Sequence, residues 1–328
     1  MKIRSEAMKT RYLAMLVCTA LLALISLGAS VYAEERNELT LSQEYDLVEN
    51  RSLETQYYLM ERDILLIAED GTTKGKEKYR LHLMIEPGDR SLGEPDRYTC
   101  GGLAMQKGDG PEVSIPALQG WSFDFERDSL DEAMLDEEGL FFGIPHTRFE
   151  GLYLSSGKAL EPINAYQVYD VFIGFLSINA FEDFGEGGIQ DLKRIGDKIV
   201  HPAGSESPIS LGDTIKEGST FKGGGSTLEF KGLTLSDGVP CAILGYRTGM
   251  GSFTMTFEVM PGMEVTSFGV TYITADIYLD LASKWMKKAE IIVVDSTKSI
   301  LGDQVIDRSI VQTINTIKAV SEAEFRAL

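Results

Sequence analysis

"VTYITADIYLDLASKWMKKAEIIVV", from Val270 to Val294, carries the strongest β pattern in the chain. It reads as two long strands joined by a tight turn at Asp280–Lys284. On the first strand Thr271, Ile273, Ala275, Ile277, Leu279 and Leu281 share one face, which is almost pure core. Val270, Tyr272, Thr274, Asp276, Tyr278 and Asp280 share the other, which is amphipathic and bears the tyrosines. In the return strand Trp285, Ala289, Ile291 and Val293 fall on one side, interrupted by Lys287. Met286, Ile292 and Val294 fall on the other, with Lys288 and Glu290. Side chains alternate across a strand with period two, so such a hairpin packs one dry face and presents a second, mixed one. The mixed face suits either a lined groove or a half-covered surface.

Upstream of this hairpin the β signal is dense. "SDGV" (236–239) is a hairpin turn between "LEFKGLTL" and "PCAILGY". Three glycines at 223–225 indicate a bulge or a close backbone approach within a strand. "GMGSF" (249–253) lacks dinucleotide-fingerprint spacing and reads as a hairpin turn. Downstream, "DQVIDRSIVQTINTI" (303–317) suits a strand by its β-branched content, and equally a helix by its isoleucine spacing. Near the amino terminus "ETQYYLMERDILLIAE" (54–69) reads as a strand ending at "DGTTKGK". In "KEKYRLHLMIE" (76–86), Tyr79, Leu81, Leu83 and Ile85 form one face and Lys78, Arg80, His82 and Met84 the other, as in an antiparallel strand with one wet side.

The middle of the chain is different. In "NAYQVYDVFIGFLSINAFEDF" (164–184) Val168, Val171, Phe172, Phe175, Leu176 and Phe181 recur at helical spacing, with Asn164 as N-cap and Gly185 as stop. An aromatic stripe of this kind is a buried face before it is a cofactor box. The predicted fold is therefore mainly β (α+β): a large twisted antiparallel sheet or half-barrel with a buried central helix. The expected organisation is a signal peptide at 1–33, an N-terminal β region at 34–126, a mixed helix and loop region at 127–207, and a C-terminal β-meander at 208–328. The two β regions are expected to form one continuous fold.

The first residues carry Lys2, Arg4, Lys9 and Arg11, then an apolar run from Tyr12 to Leu27, then "GASVYA" ending at Ala33. That order is the pattern of a secretory signal cut between Ala33 and Glu34. The apolar run of 16 residues is short against the roughly 20 a membrane span needs, although retention as an anchor is the alternative. Cutting there removes four cations and one carboxylate and takes the formal charge from −19 to −22. Such a balance disfavours nucleic acid and anionic lipid. No apolar stretch after residue 33 reaches membrane length, so no transmembrane span is expected after cleavage, and the expected location is secreted or periplasmic. The acidic run "DSLDEAMLDEE" (128–138) lacks calcium-loop spacing and reads as a solvated segment.

Cys100 and Cys241 remain after cleavage. An oxidising compartment makes them a disulfide candidate that would tie the two halves of the chain together, worth roughly 4–5 kcal/mol for a loop this long. The alternative is two separate buried thiols, which the setting of Cys241 in "VPCAILGY" favours.

Familiar catalytic signatures are absent: no Gly-x-Ser-x-Gly elbow, no phosphate-binding loop, no His-Glu-x-x-His and no Cys-x-x-Cys. No metal site or cofactor is expected. His146 and His201 stand in loop contexts, with Glu150 and Asp197 as nearby carboxylates, and are the weak catalytic candidates together with Asp197. Tyr272, Tyr278, Trp285, Phe172 and Phe175 are the candidate ligand-binding residues. The rhythm "YITADIYLDLASKWMKKAEIIVV", a strand, an Asp-x-x turn and a strand bearing Trp and Lys, resembles the hairpins of the periplasmic lipoprotein carriers and related half-barrel proteins. The resemblance covers about 90 residues from Gly238 onward. It implies a half-barrel covered by helices and transport of acylated cargo, and it assigns no binding residue. The expected function is an exported, non-enzymatic carrier with an apolar groove for a lipid, an acyl chain or a partner segment. The alternatives are a secreted hydrolase, perhaps glycan-acting, with acids and histidines in loops 128–150 and 182–204, and a structural envelope module without a pocket.

Overall fold

The computed structural model describes residues 43–125, 140–141, 144–179, 187–211, 215–260 and 262–327. The predicted signal segment, the acidic run 128–138, Phe181 and the proposed helix stop at Gly185 lie outside the described residues. From Glu44 onward the chain forms one unit. Its strands are β1 (Gln56–Ala68), β2 (Thr73–Glu86), β3 (Arg97–Lys107), β4 (Val113–Ser114), β5 (Ser122–Asp124), β6 (Leu140–Phe141), β7 (Ile144–Pro145) and β8 (Lys198–His201). They continue with β9 (Glu206–Leu211), β10 (Ile215–Lys222), β11 (Ser226–Ser236), β12 (Val239–Thr248), β13 (Gly251–Met260), β14 (Met263–Asp280), β15 (Met286–Leu301) and β16 (Gln304–Ala319). A central helix spans Pro162–Asn179 and a terminal helix Glu322–Ala327.

The protein is mainly β. Among the described residues, all strands but β6 and β7 belong to one antiparallel sheet of 14 strands that is not closed into a barrel. Its path runs β4-β3-β2-β1-β16-β15-β14-β12-β11-β8. The first and last long strands zip together, with Tyr58 opposite Ala319 and Ala68 opposite Ser309. The segment with two open sequence readings is therefore a strand, β16, because its isoleucines meet β1 and β15 rather than a helix-packing groove.

Three local features explain how the sequence pattern becomes this sheet. The opening hairpin turns at Leu281–Lys284: Asp280 Oδ1 accepts from Ala282 N–H at 2.8 Å, and Lys284 takes a left-handed φ of 63°. Tyr278 then faces Lys288 while Leu279 faces Met286, so Lys287 is an extra residue in a β-bulge. The bulge returns Met286 to the face of Leu279 and Ala289, all three buried, and removes the interruption that strict alternation placed at Lys287. A second bulge leaves Gly101 unopposed between His82–Gly102 and Leu83–Cys100. A side chain at Gly101 would collide with the Phe325 ring, which the terminal helix seats there beside Tyr57 and His82.

The third feature is a crease. β10 and β11 form one line interrupted at Gly223–Gly225, and β12 and β13 another interrupted at Gly249–Met250. Both β12 and β13 pair with β14, which runs unbroken past the crease. "GMGSF" is thus not a hairpin turn, a correction to the sequence reading. The triple glycine is a close approach: a Cβ on Gly224 would stand 2.3 Å from the Gly249 carbonyl oxygen. "SDGV" is the expected two-residue turn, with Asp237 and Gly238 both at positive φ.

The central helix begins at Pro162, a residue suited to the first helical position, so Asn164 is a first-turn residue and not the N-cap. Asn164 is buried and instead ties the helix start to the sheet: its Oδ1 accepts from Lys107 Nζ at 2.7 Å. Val168, Val171, Phe172, Phe175 and Leu176 are fully buried. Phe172 packs on Trp121, Phe123 and Phe149, and Phe175 packs on Tyr58 and Tyr98. Tyr79, Leu81, Leu83 and Ile85 supply the inner face of β2, as the alternation predicts. The amino-terminal segment straps the hairpin end: Trp285 Nε1 donates to Ser52 O at 2.8 Å, and Arg51 lies over the Trp285 ring while pairing with the buried Asp96.

The disulfide candidate is corrected here. Cys100 and Cys241 are both free and buried. Cys100 is on β3 and Cys241 on β12, with β2, β1, β16, β15 and β14 between them in the sheet order. Burial pushes the Cys100 thiol up to about 12, as expected for a thiol with no cationic neighbour strong enough to offset desolvation.

Candidate functional site

The same sheet face that packs on the central helix also lines a cavity of about 1000 Å³ beside it. The cavity follows from shape. The helix fills the β1–β3 side of the inner face with its aromatic residues, and leaves the β12–β16 side partly uncovered. Its other surface, Ile163, Tyr166, Gln167, Asp170, Ile173, Gly174 and Ser177, forms the roof. These positions recur at three- and four-residue spacing and so share one side of a helix.

The floor can be read from strand register. One row is Arg62, Asn315, Ile291 and Ala275 across β1, β16, β15 and β14. The next is Ile64, Thr313, Val293 and Ile273, and the third is Leu66, Val311, Asp295 and Thr271. Beyond it hydroxyls pair across strands, Thr297 with Ser309 at 3.0 Å and Ser267 with Ser299 at 2.8 Å. The wall on β10, β12 and β13 is apolar: Phe221, Tyr246, Phe253, Met255 and Phe257. Tyr166 on the helix meets Phe257 edge-on, with ring centroids 6.5 Å apart. Exposed Lys76, Lys107 and Ile163 also line the cavity and mark where it reaches solvent. A smaller cavity of about 180 Å³ shares Lys107 and Asn164 with it.

Besides Lys76, Glu77, Lys107 and Asp307, which also line the cavity, three charged groups stand on its floor and roof. Arg62 is 6% exposed, donates Nη1–H to the Asp170 carbonyl at 2.9 Å, and pairs through Nη2 with the Asp170 carboxylate. The third is Asp295. Burial holds its carboxyl above the ordinary range; the Thr271 hydroxyl and Arg62 offset part of this, and the Asp170 carboxylate adds to it. Three buried polar atoms of lining residues have no hydrogen-bond partner among the described residues: Arg62 Nε, Gln167 Oε1 and Asn315 Oδ1.

Most sequence-predicted site residues lie elsewhere. Tyr272 and Tyr278 are on the outer face of β14, opposite the cavity, where Lys288 lies over the Tyr278 ring at 5.6 Å and Tyr272 is exposed. Trp285 is buried under the amino-terminal strap, and Phe172 and Phe175 are in the aromatic core. His201 is exposed at the edge strand β8, its Nε2 donating to Gly187 O at 3.0 Å. Asp197 is occupied by a turn, its Oδ2 accepting from Lys193 N–H at 2.9 Å and Arg194 N–H at 2.6 Å. The backbone of His146 opens the short 3-10 turn His146–Phe149, and its side chain lies outside the described residues. The described contacts do not bring His201 and Asp197 together. Among the described residues no group of three or more His, Cys, Asp or Glu is placed to hold a metal, and no helix is long and apolar enough to cross a membrane.

The cavity residues that sequence reading missed did leave one signal. Arg62 interrupts the inner face Tyr58, Met60, Ile64 of an otherwise apolar strand, and a cation on a core face needs a partner and a reason.

No protein-family model and no curated protein matches the chain. Among solved structures it is aligned with the loop L8 deletion mutant of OmpT, an outer membrane protein of Vibrio cholerae, at 11% identity and a TM-score of 0.17, over 81% of this chain and 99% of that one. The in-vitro folded trimer form of OmpT from the same organism aligns at 9% identity and a TM-score of 0.14 over the same shares. At these scores the likeness carries no conclusion about fold or function.

Proposed function

We propose that the protein is an exported, non-enzymatic carrier that holds a lipid or acyl chain between its central helix and its sheet. The observation that supports this reading is the cavity of about 1000 Å³, which sets an apolar wall of aromatic and aliphatic side chains beside a polar floor and whose size lies at the upper end of ligand pockets. Its roof is a helix, an arrangement in keeping with the half-barrel carriers that the carboxy-terminal hairpin resembles. The basic, apolar and small-residue order at the amino terminus supports export to the cell envelope or beyond.

Uptake of N-phenyl-1-naphthylamine, a neutral apolar fluorophore, tests this reading. A carrier takes up the probe saturably, near one per chain, with a blue-shifted rise in emission. Emission unchanged at stoichiometric and higher protein concentrations contradicts it.

A further inference from the structure

The binding reading leaves open what head group the bound chain carries, and the polar floor speaks to that. Arg62 and Asn315 stand directly opposite each other on β1 and β16. Both are more than nine-tenths buried, and each has a polar atom without a partner among the described residues, Nε on Arg62 and Oδ1 on Asn315. Gln167 Oε1 from the helix is a third such atom. A buried polar group left unpaired is costly, so three in one chamber point to something that satisfies them. Any occupant must both give and accept hydrogen bonds, because the unsatisfied set contains a donor and two acceptors.

Charge narrows the class further. The Arg62 cation is already matched by Asp170. Asp295 on the adjoining floor is a second carboxylate, and the lining lysines Lys76 and Lys107 are exposed at the mouth, so the buried floor around Arg62 and Asn315 offers no spare cation to an anionic head group. A quaternary ammonium has no N–H or O–H to give to Gln167 or Asn315. A hydroxyl both gives and accepts, and Thr313 beside Asn315 adds another buried hydroxyl of the same kind.

Resting on the carrier reading, we infer that the bound molecule is a single-chain amphiphile with an uncharged, hydroxyl-rich head group, glycosyl or glyceryl in chemistry. The head group sits among Arg62, Gln167, Thr313 and Asn315, and the chain runs along the apolar wall of β13.

The test is displacement of N-phenyl-1-naphthylamine from the full-length protein by three ten-carbon amphiphiles below their micellar concentrations: decyl glucoside, decanoate and decyltrimethylammonium. The expected result is half-displacement by the glucoside at about one-tenth the concentration of either charged compound. Asn315→Leu and Gln167→Met should each weaken the glucoside about tenfold relative to that variant's own affinity for the probe. The second substitution lies on the helix and keeps the assay readable if the first impairs folding. Equal or tighter binding of decanoate or the ammonium compound overturns the head-group assignment, as does an unchanged preference in both variants. Probe uptake without head-group preference sinks this inference alone, whereas no uptake by the wild type sinks the carrier reading beneath it.

Discussion

The Phe253 ring on β13 lies across Gly269 on β14, its direct cross-strand neighbour: a Cβ built on Gly269 would stand 2.3 Å from the ring. An aromatic ring covering a glycine completes a sheet face that would otherwise have a gap. Here it also sets the edge of the cavity, because Phe253 is a lining residue. Gly269→Ala should push the ring toward the cavity. The clash is with the far end of a movable side chain, so the melting temperature should change little while probe affinity falls several-fold. Fluorescence titration beside thermal melting checks this; unchanged affinity would mean that the ring has another place to go.

The aromatic side of the central helix makes a second, sharper prediction. Phe172 and Phe175 are fully buried against rings from β1, β3, β5 and the 146–149 turn. Phe175→Ala should cost about 3–5 kcal/mol through lost burial and a residual cavity. Phe172→Asp and Phe175→Asp should each unfold the protein, since an isolated carboxylate there has no partner. Urea denaturation followed by circular dichroism reads both effects, and wild-type midpoints in the Asp variants would remove the helix from the core.

Asp295 predicts the pH dependence of stability. Its folded carboxyl titrates above its ordinary value of 3.8, so the folded state holds the proton more tightly than the unfolded chain. Stability from this group is therefore fully present below 3.8 and is lost as pH rises through the folded value. Asp295→Asn should melt higher than wild type at pH 7, and the gap should close as pH falls below 4. A gap of the opposite sign at pH 7 would show that the ionised carboxylate is stabilising.

The strap over the hairpin end rests on a buried ion pair. Arg51 and Asp96 side chains are 5% and 2% exposed, and Asp96 also accepts from Gly88 N–H at 3.1 Å. Removing one partner of such a pair strands the other charge. Asp96→Ala should therefore cost about 3–5 kcal/mol in chemical denaturation, far more than breaking an exposed pair such as Arg97–Asp124. Equal small effects for both would show that water reaches Arg51.

Much of this fold was legible because alternation survives wherever a strand is regular. Tyr79 to Ile85 and Ala275 to Leu279 bury the faces their period predicts. The reading failed where a single residue was inserted. The bulge at Lys287 reverses the alternation within one strand, and nothing in a two-residue period announces it. It also failed at the crease, where glycines that look like a turn let two strands follow one another along β14. The cavity was hardest to see. Arg62 and Asn315 are neighbours only because the first long strand pairs with the last, and that pairing is a property of topology. The tyrosines of the opening hairpin drew attention because they were visible locally, yet they decorate the outer face.

Native mass spectrometry of protein purified from its own host without detergent is the decisive check for a bound amphiphile, with Val293→Trp, a substitution that fills the cavity floor, measured alongside. The wild type is expected to carry a non-covalent adduct of amphiphile mass, released on denaturation, and the folded variant to lack it. A wild-type mass equal to the bare polypeptide, or an adduct that persists unchanged in the variant, would contradict the carrier reading.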